Sequence, residues 1–174
     1  MVKRAAYEAA GTHRRLAMEV VDDMKLGKIV KQAGFQSCAG VAQGAVVVRW
    51  HAGVGNIVRG VTKNFFASAG YNLAIALVAA AAMLLLNVAP FVAVFAGHGW
   101  VRIFAGIAVA IAVGFHVGVN VVMRVSPLYA LTHPIGALMF CYMLLRSTAV
   151  TLWRGGVVWR GTFYSLEELK RGVV

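Results

Sequence analysis

Residues 73–97, LAIALVAAAAMLLLNVAPFVAVFAG, decide the class of fold, because they carry no charged side chain. Two more uncharged runs follow, Ile103 to Met123 and Val125 to Leu145, and each of the three holds 21 to 25 residues. A hydrocarbon core of about 30 Å takes about 20 residues of helix at about 1.5 Å per residue. The runs therefore predict three transmembrane helices, at about 73–96, 102–123 and 128–150. Asn87 and Pro90 predict a kink in the first, since proline removes a helical donor and its ring crowds the preceding turn. His98-Gly99-Trp100 and Arg124-Val125-Ser126-Pro127 are short enough to make tight hairpins. Trp100, Tyr129 and Trp153 fall near span ends, where aromatic belts form. Gly114 and Gly118 make a small-xxx-small pair suited to close helix packing, and His116 and Asn120 lie one turn apart in mid-span.

Composition agrees with that reading. Of 174 residues 60% are apolar and 13% charged, and the mean hydropathy is +0.76. These values exclude a disordered tail, a disulfide scaffold and an ordinary soluble domain. Cys38 and Cys141 are too few for a disulfide framework. Residues 1–20 are mixed and polar, unlike a signal peptide. The net charge is +11, from 17 Lys+Arg against 6 Asp+Glu. In a soluble chain that excess would suggest nucleic acid; beside apolar spans it points instead to anionic headgroups and a cytoplasmic face.

Upstream of the spans, residues 1–71 hold ten of the bases and four of the acids. Ala5 to Ala10 predicts a short helix. Asp22 or Asp23 can cap a second, with Leu26, Ile29, Val30 and Ala33 on its apolar face and Gly34 at its end. Gly44 to Trp50 is a β-type run. Residues 56–71 predict an amphipathic helix lying in the headgroup layer, with Ile57, Val58, Val61, Phe65 and Phe66 opposite Arg59, Lys63 and Asn64. The topology carries a conflict. Three full crossings put Arg154, Arg160, Lys170 and Arg171 opposite the basic N-terminal block, whereas basic segments prefer one side. Either the third segment, weakened by Pro134, does not fully cross, or one run is re-entrant, or the charge rule is overridden.

Three clusters could carry chemistry. Asp22-Asp23 is explained by helix capping, or by a carboxylate pair with a general base. Arg49-Trp50 is an interfacial anchor, or an arginine holding a diphosphate beside a stacking indole. The tail, residues 153–164, reads as a membrane-surface anchor.

Taken in order, Val2-Lys3-Arg4-Ala5-Ala6-Tyr7-Glu8-Ala9-Ala10-Gly11, Glu19-Val20-Val21-Asp22-Asp23-Met24-Lys25-Leu26, Val48-Arg49-Trp50 and Val158-Trp159-Arg160-Gly161-Thr162-Phe163-Tyr164 cover most of the chain. This order resembles the C-terminal half of a membrane-anchored family 2 glycosyltransferase, of the ceramide glucosyltransferase-like and hopanoid-associated type. The resemblance implies that Asp23 is the catalytic base that deprotonates the acceptor hydroxyl. It places Asp22, Arg49 and Trp50 at the substrates and His13 as a substrate-lining residue. The first position of the family's Gln/Arg-x-x-Arg-Trp motif falls on Val46, a departure. The Asp-x-Asp that would hold Mg or Mn is missing, because the six acids are Glu8, Glu19, Asp22, Asp23, Glu167 and Glu168. The chain is then expected to be a C-terminal portion, or a degenerate copy, inactive alone.

The expected fold is a mainly α membrane protein with a partial α/β, GT-A-like remnant. Its parts are 1–55 as catalytic remnant, 56–71 as interfacial helix, 72–152 as membrane region and 153–174 as basic aromatic tail. Arg59, Lys63, Phe65 and Phe66 would meet the membrane interface. The implied partners are a nucleotide sugar, a lipid acceptor and the membrane, with no nucleic acid. The implied place is the inner (plasma) membrane, multi-pass, with the N-terminal part cytoplasmic. The alternative is a small non-enzymatic membrane protein whose basic head binds anionic lipid or a partner protein. A processive polysaccharide synthase would need more spans.

Overall fold

The computed structural model describes residues 2–38, 51–159 and 161–172. The β-type run at Gly44 to Trp50, with Arg49 and Trp50, lies outside them. The chain divides into two compact units, Met1–Leu73 with Arg146–Val174, and Ala74–Leu145.

The first unit opens with α1 (Arg4–Ala9), a 3-10 turn (His13–Leu16) and α2 (Asp22–Gln32). The predicted face of α2 is the one that packs: Ile29 and Val30 join Ala6, Ala10 and Leu16 in a buried cluster, with Leu26 and Ala33 against it. Gly34 closes the helix at φ +84°, a left-handed conformation that costs other residues about 1–2 kcal/mol. There the Phe35 amide reaches the Val30 carbonyl at 3.2 Å and the Gly34 amide the Lys31 carbonyl at 3.0 Å, which satisfies two end carbonyls.

Residues 56–71 do not form one continuous helix. They divide into α3 (Val54–Val61) and α4 (Phe65–Ser68). The cause lies far along the chain. In an unbroken helix the Phe66 amide would donate to the Thr62 carbonyl, four residues back. Instead the Ser147 hydroxyl stands between them, accepting from the Phe66 amide at 2.9 Å and donating to the Thr62 carbonyl at 2.6 Å. A side chain inserted into the helical ladder breaks it. Phe66, expected at the membrane interface, is consequently fully buried, with its ring edge-on to Tyr71. Tyr71 takes φ +55° and turns the chain toward the first apolar helix. Its hydroxyl is buried without a hydrogen-bond partner, and burial, then the nearby Glu19 carboxylate, pushes the phenol's pKa up.

The tail departs from a simple surface anchor. An antiparallel hairpin, β1 (Gly156–Trp159) with β2 (Thr162–Ser165), pairs Gly156 with Ser165 and Trp159 with Thr162. Helix α9 (Leu166–Arg171) follows, started by a capping box of Ser165 and Glu168. Val157 and Leu169 are buried, and a Cβ on Gly172 would collide with Met18. The tail is thus built into the same unit as the acidic helix. These two strands are the ones found among the described residues, so the α/β character expected of residues 1–55 is not seen in the part described.

Three helical stretches are long and apolar enough to cross a membrane: Leu73–Ala96, Gly99–Val122 and Pro127–Arg154. The first is broken, as expected, into α5 (Leu73–Asn87) and α6 (Ala89–Ala96), with Pro90 in the first turn of α6. The second is α7 (Gly99–Val122), entered through Gly99 at φ +56°. The third is a 3-10 turn (Pro127–Thr132) running into α8 (His133–Arg154), so Pro134 sits in the first turn, where its missing amide costs least. In the second unit the Cys141 thiol donates to the Ala80 carbonyl at 3.4 Å, which ties α8 to α5. A Cβ on Gly114 or Gly118 would meet no neighbour, so this small-residue pair is not used for packing within the chain.

Candidate functional site

Helix α2 positions the acidic pair. Its first turn holds both Asp22 and Asp23, where the helix dipole favours negative charge. Asp22 Oδ1 accepts from the Asp23 amide at 3.0 Å, and Asp23 Oδ1 from the Met24 amide at 2.8 Å. These contacts reach only the next residue's amide: the N-cap position falls on Val21, with no side-chain cap hydrogen bond, so the expected capping by Asp22 or Asp23 is not seen. The second oxygen of Asp23 is left for other work, and the side chain is exposed. Asp23 also lines a cavity of about 500 Å³, with Lys3, Leu26, Val30, Phe35 and Cys38. That volume is in the range of small-molecule sites, and the wall is apolar with a few polar groups.

A pair that gave no signal in the sequence anchors this helix. Glu19 is only 3% exposed and lies 3.6 Å from the Lys25 ammonium. A buried carboxylate so placed holds the segment before α2 onto its second turn, since removing one partner would strand the other's charge.

The other expected residues go elsewhere. The His13 Nδ1 lies 2.6 Å from the Tyr7 hydroxyl, which also accepts the His13 amide at 3.1 Å. His13 is thereby held on Tyr7 and does not line the Asp23 cavity. Arg59 and Lys63 face a different cavity in the same unit. Phe65 is half-buried and Phe66 buried. Among the described residues no three His, Cys, Asp or Glu side chains converge as a metal site needs. Asp22 and Asp23 each place one oxygen on a backbone amide, and with no third ligand beside them among the described residues the pair does not fit a divalent cation.

The mid-span polar residues converge in the second unit. His133 Nε2 lies 3.1 Å from Asn87 Oδ1, and His133 Nδ1 lies 3.3 Å from His116 Nδ1. With its proton on Nε2, a neutral His133 donates to Asn87 and accepts from His116. The Phe91 ring stacks on His133 at 5.9 Å. Asn120, expected to work with His116, is buried with its amide nitrogen unpaired. The pairing of His116 with His133, 17 residues away, was invisible in one helix's periodicity.

No known protein family matches the sequence, and no curated protein or solved structure is similar to it.

Proposed function

We propose that the chain is the acceptor-side portion of a membrane-bound glycosyltransferase of family 2 type, facing the cytoplasm at the inner membrane. The observation that supports this is Asp23, an exposed carboxylate at the head of α2 that lines a cavity of about 500 Å³. One oxygen is fixed by the Met24 amide, which orients the other. In the reaction, the acceptor's hydroxyl oxygen bonds to the anomeric carbon of a nucleotide sugar. The carbon–phosphate-oxygen bond breaks, and the nucleoside diphosphate leaves with the electron pair. The acceptor's proton goes to the free oxygen of Asp23. A single displacement of this kind inverts the anomeric centre.

Asp22, bonded to the Asp23 amide, fixes the first turn of the helix. Arg49 and Trp50, outside the described residues, would meet the donor diphosphate and the acceptor. The acceptor is a lipid or similar hydroxyl, because the unit that holds Asp23 adjoins the apolar helices in sequence at Leu73 and Arg146.

The test uses an enzyme that carries this segment together with an Asp-x-Asp nucleotide-binding domain. Asp23→Asn keeps the shape but cannot take the proton, so transfer should fall by about 10²–10⁴-fold while nucleotide binding persists. Near-normal turnover would remove Asp23 from the mechanism. The chain alone, given nucleotide sugar with Mg²⁺ or Mn²⁺, should transfer nothing.

A further inference from the structure

The cavity that takes Arg59 and Lys63 is lined by an unusual concentration of cations. It measures about 410 Å³, and Arg146 and Arg154 of α8 complete a set of four cations around it. Thr62 and the buried Thr151 add hydroxyls, and β1 closes one side. No acid lines it. Among the chain's acids, Glu8 pairs with Arg4, Glu19 with Lys25 and Glu167 with Arg171. Glu168 belongs to the capping box of α9, and Asp22 and Asp23 accept from the amides that follow them in α2. Among the described residues no carboxylate pairs with Arg59, Arg146 or Arg154.

The cations are held in place by neutral oxygens. Arg59 donates to Asn56 Oδ1 at 2.7 Å, Lys63 to Asn64 Oδ1 at 2.7 Å, and Arg146 to the Thr62 hydroxyl. Neutral acceptors orient a cation without cancelling its charge. The three guanidinium groups of Arg59, Arg146 and Arg154 around one small cavity repel one another, and a bound anion offsets that repulsion. Guanidinium forks with hydroxyl donors match the oxygens of phosphate, and three arginines favour two-point contacts. The site is assembled from the segments that flank the apolar helices in sequence, where a membrane-spanning chain would meet anionic headgroups.

We propose that this cavity binds a phosphate group, supplied by the headgroup of an anionic phospholipid or by a soluble phosphate or diphosphate. The site is independent of the glycosyltransferase reading, because Asp23 does not line it.

The test measures binding to the full chain in neutral detergent by native mass spectrometry and thermal shift. The probes are phosphatidylglycerol, phosphatidylcholine, inorganic phosphate and pyrophosphate. Arg59→Gln with Arg154→Gln removes two exposed guanidinia and leaves the Arg146–Thr62 contact intact. That double variant should weaken phosphate-type binding by about tenfold or more. Arg4→Gln with Arg171→Gln, two exposed arginines elsewhere, should leave it unchanged. Preference for phosphatidylglycerol that millimolar phosphate does not displace assigns the lipid source. Displacement, or binding of pyrophosphate alone, assigns the soluble one. Equal binding of phosphatidylglycerol and phosphatidylcholine with no phosphate binding overturns the proposal, as does equal loss in the control variant. Asp23→Asn should leave this binding untouched, which separates its failure from that of the catalytic reading.

Discussion

The two units sort their side chains by opposite rules. In the first, the largest fully buried residues are Phe66, Leu16, Ile29 and Leu169, and most charges lie outside, the buried Glu19 being paired with Lys25. In the second, apolar groups lie outside: Phe95 is 84% exposed and Phe115 76%. The most apolar windows of Leu73–Ala96 and Gly99–Val122 are each only 11% buried. The polar residues Asn87, His116 and His133 turn inward and bond one another. Water drives the first arrangement by expelling apolar surface. Lipid permits the second, because tails cover leucine and phenylalanine but cannot satisfy an amide or imidazole. One sequence therefore carries two solvents' rules, and the hydrogen bonds show which applies where.

That contrast can be broken at its strongest point by Phe66→Ala. Emptying a fully buried aromatic site in the water-facing unit should cost about 3–5 kcal/mol. Denaturant titration followed by tryptophan fluorescence would read it. A cost below about 1 kcal/mol would mean that lipid, not protein, covers Phe66.

His133→Ala probes the other rule. It leaves Asn87 and His116 without their shared partner inside the membrane unit. Interhelical hydrogen bonds in lipid average about 0.6 kcal/mol and reach about 1.7, so the loss should be several times smaller than at Phe66. Steric-trap or detergent unfolding would measure it. A loss equal to that of Phe66→Ala would erase the distinction between the units.

The smallest expected effect concerns Glu168, whose carboxyl lies below its ordinary pKa. The Ser165 amide lowers it most, then the Ser165 hydroxyl, with slight opposition from desolvation and help from Arg171. A lowered folded pKa means that the cap stabilises α9 above the unfolded pKa and loses that effect as pH falls through the folded value. Protection of the amides across residues 166–171, corrected for the intrinsic pH dependence of exchange, should therefore fall as pH drops below the ordinary carboxyl range. Glu168→Gln should remove the acid step, whereas Ser165→Ala, which keeps the backbone amide but loses the hydroxyl, should only reduce it.

Much of the membrane unit was legible in the sequence, because it depends on local composition. The three apolar helices and the break near Asn87 and Pro90 follow from runs of a few tens of residues. So does the face of α2 and its end at Gly34. What depended on distant residues was not legible. The break between α3 and α4 is caused by Ser147, about 80 residues later. The tail hairpin was hidden because Val157, Val158 and Phe163 beside tryptophans also spell an interfacial anchor. Of the candidate site, the place of Asp23 in the first turn of α2 was legible from the acidic pair, whereas its catalytic role rests on the family resemblance. The role of Arg146 in a basic cavity was not, because an isolated arginine at the end of an apolar run carries no pattern.

The hydroxyl of Ser147 has one further effect, on where the charge is gathered. It joins α8 to the segment that precedes α5, so the chain leaves one folded body at Leu73 and rejoins it at Arg146. Fifteen of the seventeen bases and all six acids fall in that body, giving it +9, with only Arg102 and Arg124 in the stretch between. A single serine thus gathers into one body two charged segments that stand about 80 residues apart in sequence.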